Sequence, residues 1–279
     1  MRLLLKSLLR MIWIVLGIIA LGVVTLYFLQ DKIIFYPRKY VTGDRELAAN
    51  YEILEYITNR DGKQRAYYRG PTQVAPEKLW VLAGGNGSLA LEWEIIVKKA
   101  SELNPENGFL LIEYPGYGMC AGNPSRAGIQ QNVEGAIEAL GEHLNRDDAT
   151  LKSRSSFLGH SMGAAVVLET AADWKRGEVI ALAPFTSLQD MGARMVGRPL
   201  SNLARHKWDN RAAVRTIASF PDPEILILHG DRDQVIPIEM GRELSEMKPE
   251  TVTFHEISGV GHNNIVWEVR DILVTVLSK

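Results

Sequence analysis

The chain has 279 residues, 46% of them apolar and 23% charged, which is enough for one large α/β domain or two small ones with a substantial core. A formal charge of −2 gives no basis for a nucleic-acid partner, which requires a clustered basic surface. The single cysteine, Cys120, excludes an intramolecular disulfide framework and a cysteine-built zinc site.

From Met11 to Gln30 no residue is charged and nearly every position is apolar. About 20 such residues cross a hydrocarbon core as one helix. Arg2, Lys6 and Arg10 precede the run, and Trp13 and Tyr27 lie near its ends, where interfacial aromatics are favoured. A cleaved secretory signal has a shorter apolar core and a small-x-small site after it, and no convincing one follows here. Residues 1–32 are expected to be a retained single-pass membrane anchor. The early basic residues favour an inside amino terminus and a soluble body outside the cytoplasm, although Lys32, Arg38 and Lys39 blunt that asymmetry.

Beyond the anchor, Ile53–Thr58 and Gln64–Tyr68 read as short strands joined by a hairpin with Asp61-Gly62 at its turn. Strands and helices then alternate. Leu79–Leu82 is a buried strand ending in Gly84-Gly85-Asn86-Gly87. Leu89–Leu103 is an amphipathic helix and Phe109–Ile112 a second buried strand. Ile129–Leu144 has helical periodicity, and a short strand is expected around Phe157-Leu158 with an alanine- and valine-rich helix after Ser161. Val179–Leu182, Ile225–Leu228 and Val252–Ile257 read as strands, and Ile265–Leu277 as a closing helix. Apolar runs spaced by helices indicate an α/β domain, 33–279, with a mainly parallel sheet flanked by helices. The stretch 187–219 interrupts the alternation, carries many arginines and fits a helical lid inserted between two strands.

Gly159-His160-Ser161-Met162-Gly163 lies between a strand and a helix, the context of a nucleophile elbow. There the strand turns sharply into the helix, and the serine hydroxyl projects at the carboxyl end of the sheet. A serine needs a base, and the base needs an orienting acid. The polar turn after Leu228 offers two carboxylates at a strand's carboxyl edge, Asp231 and Asp233, between which spacing does not choose. His262, in the glycine-flanked loop between the last strand and last helix, is the base candidate. His143, His206 and His255 fall on a helix, in the lid and in a strand; His160 should point away, and His229 should support the acid turn. The order Ser, Asp, His is that of α/β-hydrolases. Oxyanion donors are expected from the Met162 amide and from Gly85 or Asn86. No Lys-Ser/Thr or spaced glycines follow Gly84–Gly87, so a phosphate loop is discounted.

These motifs resemble the α/β-hydrolase superfamily, and within it the Bem46-like and ABHD-type membrane-anchored serine hydrolases. The resemblance runs through Asp31–Pro37, Gly85-Asn86-Gly87, Tyr114-Pro115-Gly116-Tyr117-Gly118 with Gly122–Ser125, the elbow, Ala183–Leu188, the His229–Pro237 turn and Gly261-His262-Asn263. It implies Asp233 as the acid, with Ser161 and His262 completing the triad. Two positions depart from the pattern: Gly84 stands where a histidine is frequent, and Pro115 where an arginine is common. The resemblance implies ester, thioester, amide or lipid-like acyl substrates, with no metal or organic cofactor. An acyltransferase or serine peptidase is the first alternative, and a non-catalytic binding protein that keeps the fold is the second. Oligomeric state is not legible.

Overall fold

The structure is a computed structural model that describes residues 2–41 and 43–279, with side chains from residue 6 onward except at 42. The first element is a single helix, α1 (Arg2–Ile34). Its Lys6–Ile34 part is long and apolar enough to cross a membrane, with a mean hydropathy of 2.6 over an 18-residue window within it. Every residue from Lys6 to Gly22 is exposed, whereas Val23, Leu26, Gln30 and Ile34 are half-buried. Those four recur at helical spacing, so one stripe of the last turns rests on the domain, while Lys6–Gly22 stands free of it.

The remaining chain builds one eight-stranded sheet. Its strands are β1 (Glu52–Thr58), β2 (Gly62–Arg69), β3 (Leu79–Ala83), β4 (Gly108–Ile112), β5 (Ser155–His160), β6 (Glu178–Leu182), β7 (Glu224–Gly230) and β8 (Val252–Ile257). They lie in the order β1-β2-β4-β3-β5-β6-β7-β8. β1 and β2 form an antiparallel hairpin, β2 is antiparallel to β4, and every other pair is parallel. β3, β4 and β5 are buried at every position, because helices cover both faces.

The helices after α1 are α2 (Glu94–Leu103), α3 (Arg126–Leu144), α4 (Asp148–Ser153), α5 (Met162–Asp173), α6 (Leu188–Val196), α7 (Arg198–Ser201), α8 (Asn210–Ile217), α9 (Ile238–Glu246), α10 (Ile265–Glu268) and α11 (Arg270–Leu277). The period-2 alternation of the strands divides the core. Trp80, Leu82, Phe109, Leu111 and Leu158 face Val97, Ala100, Leu273 and Leu277 of α2 and α11. Val81, Ala83, Leu110, Ile112 and Phe157 face α3, α5, α8 and α9 through residues such as Ile137, Val167, Val214 and Leu244.

Several boundaries differ from those expected. The helix read over Leu89–Leu103 opens as a 3-10 turn, Ala90–Trp93, where the Ala90 amide donates to Glu113 and the Leu91 amide to the Tyr40 hydroxyl. α3 starts at Arg126, ahead of its apolar stripe, because the Ser125 hydroxyl caps the Gly128 amide at 3.0 Å. The closing helix breaks at Val269 into α10 and α11. α4 and α9 had no counterpart in the apolar pattern. Within 187–219, α8 buries Ala213, Val214 and Ile217 in the core beneath α5, while α6 has no fully buried residue.

Candidate active site

The Gly159–Gly163 segment turns from β5 into α5 with Ser161 at φ 57°, ψ −117°, a conformation that costs an L-residue about 1–3 kcal/mol. Neighbouring backbone dictates the glycines. A Cβ on Gly163 would stand 2.1 Å from the Ala83 carbonyl oxygen, and one on Gly159 would stand 2.2 Å from that of Gly163. Only hydrogen fits in either place, so β3, β5 and α5 meet closely enough to hold the turn. The Ser161 amide donates to the Leu182 oxygen at 2.9 Å, tying the strained residue to β6.

Two loops at the carboxyl ends of β7 and β8 bring the other groups. The Ser161 hydroxyl donates to His262 Nε2 at 2.9 Å, and His262 Nδ1–H donates to Asp233 Oδ2 at 2.7 Å. Because a carboxylate only accepts, this pairing fixes the imidazole tautomer with Nε2 free to take a proton. Ser161 and His262 are each 8% exposed, and the Asp233 side chain is fully buried. Burial by itself would raise the Asp233 carboxyl. Hydrogen bonds from His229 and His262, the charge of His262 and the Ile236 amide outweigh it, and hold the group well below the usual carboxylate range.

Asp231 has a different task. It accepts from the Gly259 amide at 2.7 Å and lies 3.3 Å from the Ser258 hydroxyl, stitching the β7 turn to the β8 loop. Gly230 permits that seam, since a Cβ there would lie 2.1 Å from the Val260 oxygen. His229 Nε2–H donates to the Ile236 oxygen at 2.9 Å and lies 3.3 Å from Asp233, beneath the acid turn.

His160 holds the His262 loop. Its Nε2–H donates to the His262 carbonyl at 3.1 Å, and the two rings lie 4.9 Å apart. Burial first, then the neighbouring His262, push His160 down to about 3, so it stays neutral. Its place next to the serine in the sequence was the available signal; its bond to a loop 102 residues later was not legible.

The glycine-rich turn after β3 runs past the serine. A Cβ on Gly85 would lie 3.6 Å from that of Ser161, and Asn86, Ser161 and Met162 line one cavity. The Met162 amide is the first of α5 and has no intrahelical acceptor. Two tyrosines clamp the turn: Tyr114 donates to the Gly84 oxygen at 2.7 Å and Tyr117 to the Asn86 oxygen at 2.5 Å. The Tyr36 amide also donates to Asn86 O at 3.1 Å, and the Asn86 side chain returns a bond to Ile34 O at 2.9 Å. The tyrosine loop and the end of α1 therefore aim this turn. The motif Tyr114–Gly118 was visible in sequence, but its action on the turn was not.

The cavity beside Ser161 has a volume of about 250 Å³ and an apolar lining from Met162, Phe185, α6, α7 and the last turns of α1. Among the described residues, no group of three or more His, Cys, Asp or Glu side chains is arranged to hold a metal ion.

No protein-family model matches the chain. It is 28% identical to the Bem46 protein of Schizosaccharomyces pombe over 235 residues, 79% of this chain and 74% of that one. It is 26% identical to human alpha/beta hydrolase domain-containing protein 17C over 226 residues, covering 80% of this chain and 64% of the relative. Among solved structures, the Pyrococcus furiosus esterase Pf2001 superposes with a TM-score of 0.63 at 15% identity, over 88% of this chain and 96% of the esterase. An eight-stranded, mostly parallel sheet with a strand-serine-helix elbow gives the chain the α/β-hydrolase fold, and Bem46 and alpha/beta hydrolase domain-containing protein 17C are among the proteins it resembles in sequence.

Proposed function

We propose that the chain is a membrane-anchored serine hydrolase that cleaves acyl ester or thioester bonds through a covalent acyl-enzyme, with Ser161 as nucleophile. The observation that carries this reading is the relay of 2.9 Å from Ser161 Oγ to His262 Nε2 and 2.7 Å from His262 Nδ1 to Asp233, beside an apolar cavity. His262 takes the hydroxyl proton as Ser161 Oγ attacks the acyl carbonyl, and the Asp233 carboxylate stabilises the imidazolium. The Met162 amide, with that of Asn86 or Gly85, receives the negative oxygen of the tetrahedral intermediate. His262 then gives its proton to the leaving group. Water, deprotonated by the same imidazole, breaks the acyl–Ser161 bond and restores the hydroxyl.

The hydrolase class is supported by fold and relatives. In this reading α1 anchors the protein in the membrane and the hydrolase body lies outside the cytoplasm. A fluorophosphonate probe applied to the full chain in detergent or vesicles should label it at Ser161 and leave Ser161→Ala unlabelled. Folded wild-type protein that takes no label overturns the reading.

A further inference from the structure

The cavity beside Ser161 is not closed by the hydrolase body alone. One wall is the membrane helix: Val23, Leu26, Tyr27 and Gln30 line it opposite Met191 and Met195 of α6. Among the described side chains of α1 before Gln30, Val23 and Leu26 are the half-buried ones, so this is where the helix is seated. The seat is bolted. The Arg205 amide donates to Gln30 Oε1 at 2.8 Å, Gln30 Nε2 donates to the Leu203 oxygen at 3.2 Å, and Asp31 meets Arg205 at 3.3 Å. His206 accepts the Arg126 amide at Nδ1, which leaves Nε2–H to donate to Asp31 at 2.7 Å.

Depth follows from charge. The uncharged run Met11–Gln30, bounded by Arg10 and Asp31, spans about 30 Å at 1.5 Å per residue, the thickness of a hydrocarbon core. Placing that run in the bilayer sinks the Val23 end of the cavity about 10 Å below the charged boundary. Around the cavity, Met195, Val196 and Leu203 are exposed alongside exposed Arg194, Arg198, Arg205 and Lys207. Apolar side chains interleaved with cations suit a surface seated among anionic headgroups.

From this we infer that the end of the anchor is part of the substrate site, and that the substrate is a long-chain acyl ester or thioester drawn sideways from the leaflet in which α1 sits. Its acyl tail lies between α1 and α6 while its carbonyl reaches Ser161. The inference rests on the hydrolase reading above. It adds a specificity role for Val23 and Leu26, whose size sets the length of tail accepted.

The test uses the full chain in phospholipid vesicles, with p-nitrophenyl hexadecanoate and butanoate as substrates and fluorophosphonate labelling to count the competent fraction. Val23→Trp and Leu26→Trp should lower the hexadecanoate-to-butanoate ratio of kcat/KM by about tenfold or more, since several methylenes lose their contact. Val24→Trp, on the exposed side of the same turn, should leave the ratio at its wild-type value. In wild type, hexadecanoate supplied in the enzyme's own vesicles should start about tenfold faster than the same ester supplied in separate vesicles. An unchanged ratio in both wall variants overturns the pocket, and equal initial rates from both vesicle sources overturn lateral access. Wild type that neither labels nor turns over butanoate removes the hydrolase reading itself, a separate failure.

Discussion

Substituting alanine for Gly163 perturbs the elbow at its tightest point. The added methyl would stand 2.1 Å from the Ala83 oxygen and 2.5 Å from the Gly84 oxygen, where real Cβ contacts essentially never fall below 3.0 Å. Both obstacles are backbone, so no side chain can swing aside. Either α5 or the end of β3 must retreat by about 0.9 Å. Overpacking of this kind costs about 1–3 kcal/mol, which for a domain of this size lowers Tm by roughly 2–10 °C. The catalytic effect should be larger than the thermal one. The displaced backbone leads directly into the Gly85-Asn86 turn, so its amides move by about 1 Å relative to Ser161, and such misplacement costs on the order of 10²-fold in kcat. Burst-phase hydrolysis of p-nitrophenyl butanoate, alongside a thermal melt of the same full-length preparation, reads both quantities. A variant with wild-type kcat would refute the claim that the turn after β3 works on the reacting oxygen. An unchanged melt would refute the close approach itself.

Asp233→Asn should lower kcat by about 10³–10⁴-fold while the protein still folds, because an amide facing His262 Nδ1 favours the wrong tautomer. The same substitution tests a pH effect. The Asp233 carboxyl is depressed in the folded state, so its contribution to stability is present above the unfolded value of about 4 and is lost as pH falls below it. Melts between neutral pH and pH of about 3 should therefore fall more steeply for wild type than for the variant; parallel curves contradict the assignment. Replacing both Tyr114 and Tyr117 by phenylalanine removes two clamps on the Gly84–Asn86 turn. It should cost about 1 kcal/mol for each bond and about tenfold in kcat, with KM for butanoate little changed. A rise in KM alone would assign the tyrosines to substrate binding instead.

Much of the fold was present in local pattern. Runs such as Leu79–Leu82 and Phe109–Ile112 are apolar at every position because both faces of a parallel sheet are covered, and that pattern fixes strand against helix without any partner. Helix boundaries were less legible. Ser125 starts α3 by a hydroxyl-to-amide bond that apolar periodicity does not register, and the Ala90–Trp93 turn owes its shape to Glu113 and Tyr40. At the proposed site, the candidate residues could be named because the serine, the carboxylate and the imidazole each sit in a distinctive turn. Choosing Asp233 over Asp231 needed resemblance, because both lie on one turn and only direction separates them: one faces His262, the other the Gly259 amide.

What the sequence determined alone is therefore the set of parts: a charge-free helix of bilayer length, a strand-helix alternation and three turns able to carry a serine, a carboxylate and an imidazole. Tertiary structure decided what those parts touch. His160 holding the base loop, Tyr114 and Tyr117 aiming the turn after β3, and α1 walling the cavity at Ser161 all join residues far apart in the chain. Hydrophobic period and turn chemistry are local properties that a linear string displays. Which hydroxyl meets which carbonyl depends on sheet order and strand register, and these exist only once the chain has closed upon itself.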